Sequence, residues 1–270
     1  MEKTEQTVLS AHPVAPEIRE RVLQALVDIE TQHDVKVLFA CESGSRGWGF
    51  ASPDSDYDVR FIYVHRQPWY LAVEAGRDVI ELPISNELDV SGWELRKALR
   101  LLRRANPVVL EWLDSPVVYR QDAEAAGRLR QLAPDYFSEL RGRYHYLAMA
   151  RKNFRGYLQG DSVRLKKYLY VLRPLLAVRW IDDGRGRPPM RFAELVAGTV
   201  SDAGLLTEIN QLLAIKMQAG EAEYSPRWPR IHAFIESELG REERAIYKKP
   251  EGSSTALDAF LMETVLAFSS

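Results

Sequence analysis

Asp56-Tyr57-Asp58 is the first place where the sequence offers chemistry. The triplet opens YDVRFIYV, a run that reads as a β-strand. Side chains two apart on a strand share a face. Asp56 and Asp58 are therefore expected side by side, roughly 6–7 Å apart at the backbone. Tyr57, Val59, Phe61 and Tyr63 would turn the other way, into a core. Two parallel carboxylates repel, by ~2–3 kcal/mol at an effective dielectric of about 20. A divalent cation between them reverses that sign, and hard oxygen donors favour Mg2+ or Mn2+. Taken alone, the pair fits an exposed strand start better, since Asp is common there.

The residues upstream change that balance. VKVLFAC, a short apolar run, reads as a buried strand and leads into Gly44-Ser45-Arg46-Gly47. Glycines let a backbone approach phosphate closely and present its N–H groups. Ser45 adds a hydroxyl donor, and Arg46 suits either a bidentate phosphate contact or an ordinary surface position. Ten residues separate Ser45 from Asp56. A strand–loop–strand path can thus return the carboxylates to the loop, with phosphates on one side of a pocket and metal on the other.

The elements that must position these groups follow from periodicity. Pro16 and EIRERVLQALVDIETQH read as an amphipathic helix with Ile18, Val22, Leu26 and Ile29 on one stripe. VIELPI reads as a third strand. GWELRKALRLLRRA has helical spacing and ends at Asn106-Pro107, and VVLEWL reads as one further short helix. From about residue 121 strand signals stop and long helical patterns follow, among them SVRLKKYLYVLRPLLAVRWI and ALDAFLMETVLAF. The chain therefore reads as a small α/β head, residues 1–120, on an all-helical domain, residues 121–270.

Gly44-Ser45, ten residues, then Asp56-Tyr57-Asp58-Val59 is similar to the signature of DNA polymerase β-like nucleotidyltransferases. ESGSRGWGFASPDSDYDVRFIYV more closely resembles the bacterial nucleotidyltransferases associated with RNA repair. DVIELPI, LDVSGWELRKALRLL, NPVVLEWL and KKYLYVLRPLLA extend the likeness over most of the chain. Ser43 stands where the broad superfamily usually has an apolar residue, a departure the narrower family tolerates. The resemblance implies an α+β fold: a catalytic head with a small mixed sheet flanked by helices, followed by a helical domain. It also implies transfer of a nucleoside monophosphate from an NTP to an acceptor hydroxyl, with two metal ions held by three carboxylates. Asp89 best matches the third, on a later strand just before a helix, with Glu81 and Glu87 in reserve; a turn or cap role also suits it. The acceptor expected is an RNA end. A protein or small-molecule acceptor fits the same head. A degenerate binding or antitoxin-like module is the non-enzymatic alternative, against which the intact Asp56, Asp58 and Gly44-Ser45 argue.

Charge adds a second clue. Arg141 to Arg191 holds thirteen Lys/Arg against three Asp, a local net of +10, which leaves −12 for the rest of a chain of net charge −2. So basic a segment suits an anionic partner as well as a solvated helical face. Since polymerase β-like enzymes take triphosphate and base contacts from a helical second domain, the resemblance implies Lys152, Lys167 and Tyr168 as candidates. Snorkelling lysines over a helical core with half-buried tyrosines are the plain alternative. Trp48, just after the loop, is placed to stack on a base. One cysteine, Cys41, excludes an intramolecular disulfide and fits a reducing, cytoplasmic setting. The first residues, MEKTEQTVLSAHP, lack the apolar core of a signal peptide, and no apolar run approaches the ~20 residues needed to span a bilayer. Oligomeric state leaves no signature in the sequence.

Overall fold

Ile18, Val22, Leu26 and Ile29 are the residues that helix α1 (Pro16–His33) buries, and Pro16 starts it. The computed structural model describes residues 13–85, 87–218, 224–242 and 247–269. The opening stretch weighed above for a leader lies almost entirely outside the described residues.

Five strands form one sheet: β1 (Val35–Glu42), β2 (Tyr57–His65), β3 (Val79–Glu81), β4 (Leu88–Glu94) and β5 (Val118–Gln121), in the order β3-β4-β2-β1-β5. β2 and β4 run parallel; the other neighbours are antiparallel. The sheet is thus mixed, and the fold class is α+β, as expected. Alternate strand residues serve two cores. Val35, Val37, Ala40, Tyr57, Val59, Phe61 and Tyr63 pack with α1. Leu38, Phe39, Cys41, Ile62 and Val64 pack with α4 (Leu95–Arg103), α5 (Pro107–Leu113), α6 (Ala123–Leu132) and α12 (Ser254–Ser269). Register shifts between Val37 and Phe39, and this irregularity lets consecutive Leu38 and Phe39 join one core. Two short helices, α2 (Gly44–Trp48) and α3 (Gln67–Leu71), flank β2 in sequence.

Several elements differ from the sequence reading. The helix expected from Gly92 begins at Leu95, because Gly92, Trp93 and Glu94 complete β4. That strand buries Leu88, Val90, Gly92 and Glu94, and its glycine and glutamate hide the apolar period. Gly92 is glycine for a steric reason: a Cβ there would stand 2.2 Å from the Phe61 ring. Glu94 then caps α4, accepting the Lys97 N–H at 3.2 Å. β5 was not legible either, and the segment read as strandless after 121 contains an antiparallel ribbon of β6 (Ser162–Arg164) and β7 (Tyr224–Pro226). Three-residue strands are too short to show a period of two.

The described residues divide into two compact units. The sheet unit comprises those of Pro13–Gly47, Asp56–Phe137 and Pro250–Ser270. The helical unit comprises those of Trp48–Ser55 and Ser138–Lys249, with α7 (Glu139–Tyr157), α8 (Leu165–Asp182), α9 (Phe192–Thr199), α10 (Ala203–Gln218) and α11 (Pro229–Leu239). Within it α8 is buried on most sides, and a buried ion pair, Arg143 Nε to Asp182 Oδ1 at 3.0 Å, ties α7 to α8. The segment Trp48–Ser55 is built into this unit. Phe50 is fully buried with its ring 6.2 Å from Tyr170 and 5.5 Å from Phe192, and the buried Lys216 ammonium donates to the Ser52 and Ser55 hydroxyls. Among the described residues no helix is long and apolar enough to cross a membrane.

Candidate active site

β2 starts at Tyr57, so Asp56 sits just before the strand, exposed, and Asp58 lies one residue inside it, partly buried. The parallel register sets Asp58 directly opposite Asp89 on β4. Of the three candidates for a third carboxylate, Asp89 alone stands beside Asp58 in this way. Glu81, on β3, pairs with Arg77 at 2.8 Å, and Glu87 precedes β4 and accepts the Tyr57 N–H through its main-chain oxygen at 2.7 Å.

Gly44 closes the other side. Its φ is +58°, a left-handed conformation that favours glycine, and a Cβ built there would lie 1.9 Å from Asp58 Oδ2. The loop and the carboxylate therefore meet at van der Waals range only because residue 44 has no side chain. Asp58 is pinned through its backbone as well: its N–H donates to Glu42 Oε1, and its carbonyl accepts the Ser43 N–H, each at 2.8 Å. Glu42 is itself fully buried, with Oε2 accepting a short hydrogen bond from the Tyr119 hydroxyl on β5. Burial pushes the Glu42 carboxyl up to about 7, an effect that the Tyr119 and Asp58 hydrogen bonds and the Arg46 charge oppose.

Arg60, two residues beyond Asp58 and on the same strand face, reaches both carboxylates. Its Nη2 donates to Asp58 Oδ1 at 3.2 Å and Asp89 Oδ2 at 2.7 Å. Burial raises the Asp58 proton affinity above the ordinary carboxylate value; Arg60 opposes that rise, while Asp89 and Asp56 add to it. The charges of Asp89 and Asp56 thus both act on Asp58.

The donor set suits a hard divalent cation, being carboxylate oxygen throughout. Among the described residues, no hydrogen bond or ion pair engages Asp58 Oδ2 or Asp89 Oδ1, so each carboxylate keeps an oxygen to offer. Among those residues no group of three or more His, Cys, Asp or Glu side chains is placed to hold a metal ion together, so the protein itself supplies the Asp58–Asp89 pair. Asp58 and Asp89 fit an ion by donor chemistry and by adjacency, with Arg60 already bonded to one oxygen of each.

Ser45 is buried beside Gly44. Arg46 does not reach outward: it is 7% exposed, with its guanidinium 3.8 Å from the Tyr57 ring centroid. A short helical turn directs it back onto β2, where its charge acts on Glu42. Tyr168 is in the core of the helical unit, fully buried, its hydroxyl accepting the Trp228 N–H at 3.1 Å. α8 is enclosed on that side, which turns the tyrosine inward. Lys152 is exposed on α7, and the Lys167 ammonium lies 4.0 Å from the Tyr157 ring centroid. Trp48 packs on Phe50 and Tyr170, each ring 5.6 Å away, and carries Arg173 over its face. Sequence reasoning missed Glu42, Arg60 and Tyr119. Arg60 was within reach of the period-two argument that aligned Asp56 with Asp58.

The family model RlaP, the RNA repair pathway DNA polymerase beta family, matches residues 18–263. The chain belongs to this family. It is 45% identical over 251 residues to the uncharacterized protein YcgL of Bacillus subtilis (strain 168), covering 92% of this chain and 96% of that protein. Membership makes it a nucleotidyltransferase-like protein of the polymerase β superfamily, as the Gly44-Ser45 and Asp56-Tyr57-Asp58 blocks implied. A solved nucleotidyltransferase-like protein from Exiguobacterium sibiricum 255-15 aligns over 92% of this chain and 77% of its own at 14% identity and a TM-score of 0.30, a likeness too low to carry a fold argument.

Proposed function

We propose that the protein is a metal-dependent nucleotidyltransferase that moves a nucleoside monophosphate from an NTP to the hydroxyl of an RNA end. The observation that carries the reading is the convergence of Asp58 and Asp89, opposite one another on parallel strands, with the Gly44 loop against Asp58 Oδ2. Family membership adds support, through the RNA repair pathway named in the family's description.

In this reading Asp56, Asp58 and Asp89 hold Mg2+ or Mn2+, which when bound would neutralise phosphate charge and lower the pKa of the attacking hydroxyl. Phosphoryl transfer depends mainly on positioning and charge neutralisation. The Gly44-Ser45 backbone approaches the triphosphate where any side chain at position 44 would collide with Asp58. The acceptor hydroxyl attacks the α-phosphorus and pyrophosphate leaves; Asp89, the more exposed of the strand pair, is the residue nearer the acceptor and takes its proton. Catalysis resides in the sheet unit, while the helical unit contributes Lys152 and Lys167 as anion contacts of its own. The reducing cytoplasm suits a chain with one cysteine, buried at Cys41.

The test is incubation of the purified protein with each α-labelled NTP and Mg2+ against RNA ends, with a protein mixture and small alcohols as further acceptors. Label on RNA supports the reading in full. Label on another acceptor redirects it. No label anywhere, with no NTP binding, overturns it in favour of a binding module.

A further inference from the structure

Arg60 makes more of this site than a chance ion pair would. Its Nη1 donates to the main-chain oxygens of Val59 and Asp89, both at 3.0 Å. Its Nη2 bonds one oxygen of each carboxylate, Asp58 Oδ1 and Asp89 Oδ2. Two of these four acceptors are backbone, so the guanidinium is anchored by the strands themselves. Arg60 is mostly shielded, with 21% of its side chain exposed. A planar fork is what this task needs: a lysine ammonium on a flexible stem cannot bond two carbonyls and two carboxylates at once.

We infer that Arg60 is the positioning residue of the carboxylate pair: it fixes one oxygen of Asp58 and of Asp89 so that the other oxygen of each is presented for a divalent cation. The inference rests on the nucleotidyltransferase reading and names the residue that makes its ligands rigid. Adjacent carboxylates at Asp58 and Asp89 repel, and without a shared donor they swing apart. Asp58 Oδ2 is then no longer held against Gly44. Groups that orient metal ligands through hydrogen bonds typically change metal affinity by about 10- to 100-fold when removed. An opposite effect defines the rival role: a cation that merely fills the ion's place would, when removed, let metal bind more tightly.

The experiment measures Mn2+ binding to the full chain, by electron paramagnetic resonance and calorimetry, for the wild type, Arg60→Met, Arg60→Lys and Asp58→Asn. Circular dichroism and melting establish the fold of each. Arg60→Met is expected to weaken Mn2+ binding about 10- to 100-fold, with Arg60→Lys between it and the wild type. Asp58→Asn marks the loss of a direct ligand. If Arg60→Met does not fold, the lysine variant, which keeps the charge but not the fork, decides. Equal or tighter Mn2+ binding by the folded arginine variant overturns the positioning role and leaves the metal reading standing. Failure of the wild type to bind Mn2+, with or without NTP, overturns both.

Discussion

Glu42 Oε1 accepts the main-chain N–H of Asp58 at 2.8 Å, so the carboxylate that ends β1 sets the position of the aspartate near the start of β2. The contact is fully buried on the Glu42 side and is backed by the Tyr119 hydroxyl. A buried carboxylate is costly unless its oxygens are hydrogen-bonded, and here both are. The site is thus built in depth: Glu42 holds the Asp58 backbone, Arg60 holds its side chain, and Gly44 leaves room for its free oxygen.

Glu42 should leave a mark on stability as pH changes. Its folded pKa of about 7 lies above its ordinary value of 4.5, so between the two the folded state holds more proton than the unfolded state. The stabilisation is complete at low pH and is lost as pH rises from 4.5 towards 7, by about 3 kcal/mol at most. Glu42→Gln keeps an acceptor for Asp58 and removes the titration. The melting temperature of the wild type minus that of Glu42→Gln should shrink from pH 5 to pH 8. A constant difference across that range would count against the burial argument.

Gly44→Ala combines a collision with Asp58 Oδ2 and a positive φ. The conformation alone costs about 1–2 kcal/mol. If that energy is lost at the transition state, label transfer should fall about 5- to 30-fold, alongside a lower melting temperature. Wild-type turnover in this variant would show that the loop and carboxylate need not meet.

Asp58→Asn and Asp89→Asn should each lower nucleotidyl transfer by at least about 100-fold while leaving the circular dichroism spectrum intact. Chelation of divalent metal should abolish transfer in the wild type, and Mg2+ with NTP should raise its melting temperature. Full activity of either variant after thorough purification removes that residue from the site.

Tyr168→Phe tests whether the buried hydroxyl on α8 serves packing or ligand binding. Loss of the hydroxyl that accepts the Trp228 N–H should lower stability by about 1 kcal/mol, with the KM for NTP unchanged. A several-fold rise in KM at wild-type stability would mark Tyr168 as a ligand contact.

Phe50→Ala removes a fully buried ring between Tyr170 and Phe192. Unfolding by urea should show a loss of about 3–5 kcal/mol. Hydrogen exchange should report the loss first in the helical unit. A change confined to the sheet unit would contradict the assignment of Trp48–Ser55 to the helices.

Local patterning made part of this protein legible. The stripe Ile18, Val22, Leu26 and Ile29 depends only on helical period, and the sharing of one strand face by alternate residues only on strand period. The Gly44-Ser45 and Asp56-Tyr57-Asp58 blocks carried the family resemblance because they are contiguous. What only the tertiary structure decided is every pairing between distant strands. Asp89 faces Asp58 through parallel register, a long-range choice that no local pattern encodes. Glu42 meets Tyr119 77 positions away, on a four-residue strand too short to announce itself. Tyr168 and Arg46 point inward because neighbouring elements cover them, and coverage is a property of packing. Sequence specifies chemistry wherever the residues are near in the chain; where they are far apart, hydrogen-bond register and enclosed volume select which of them meet.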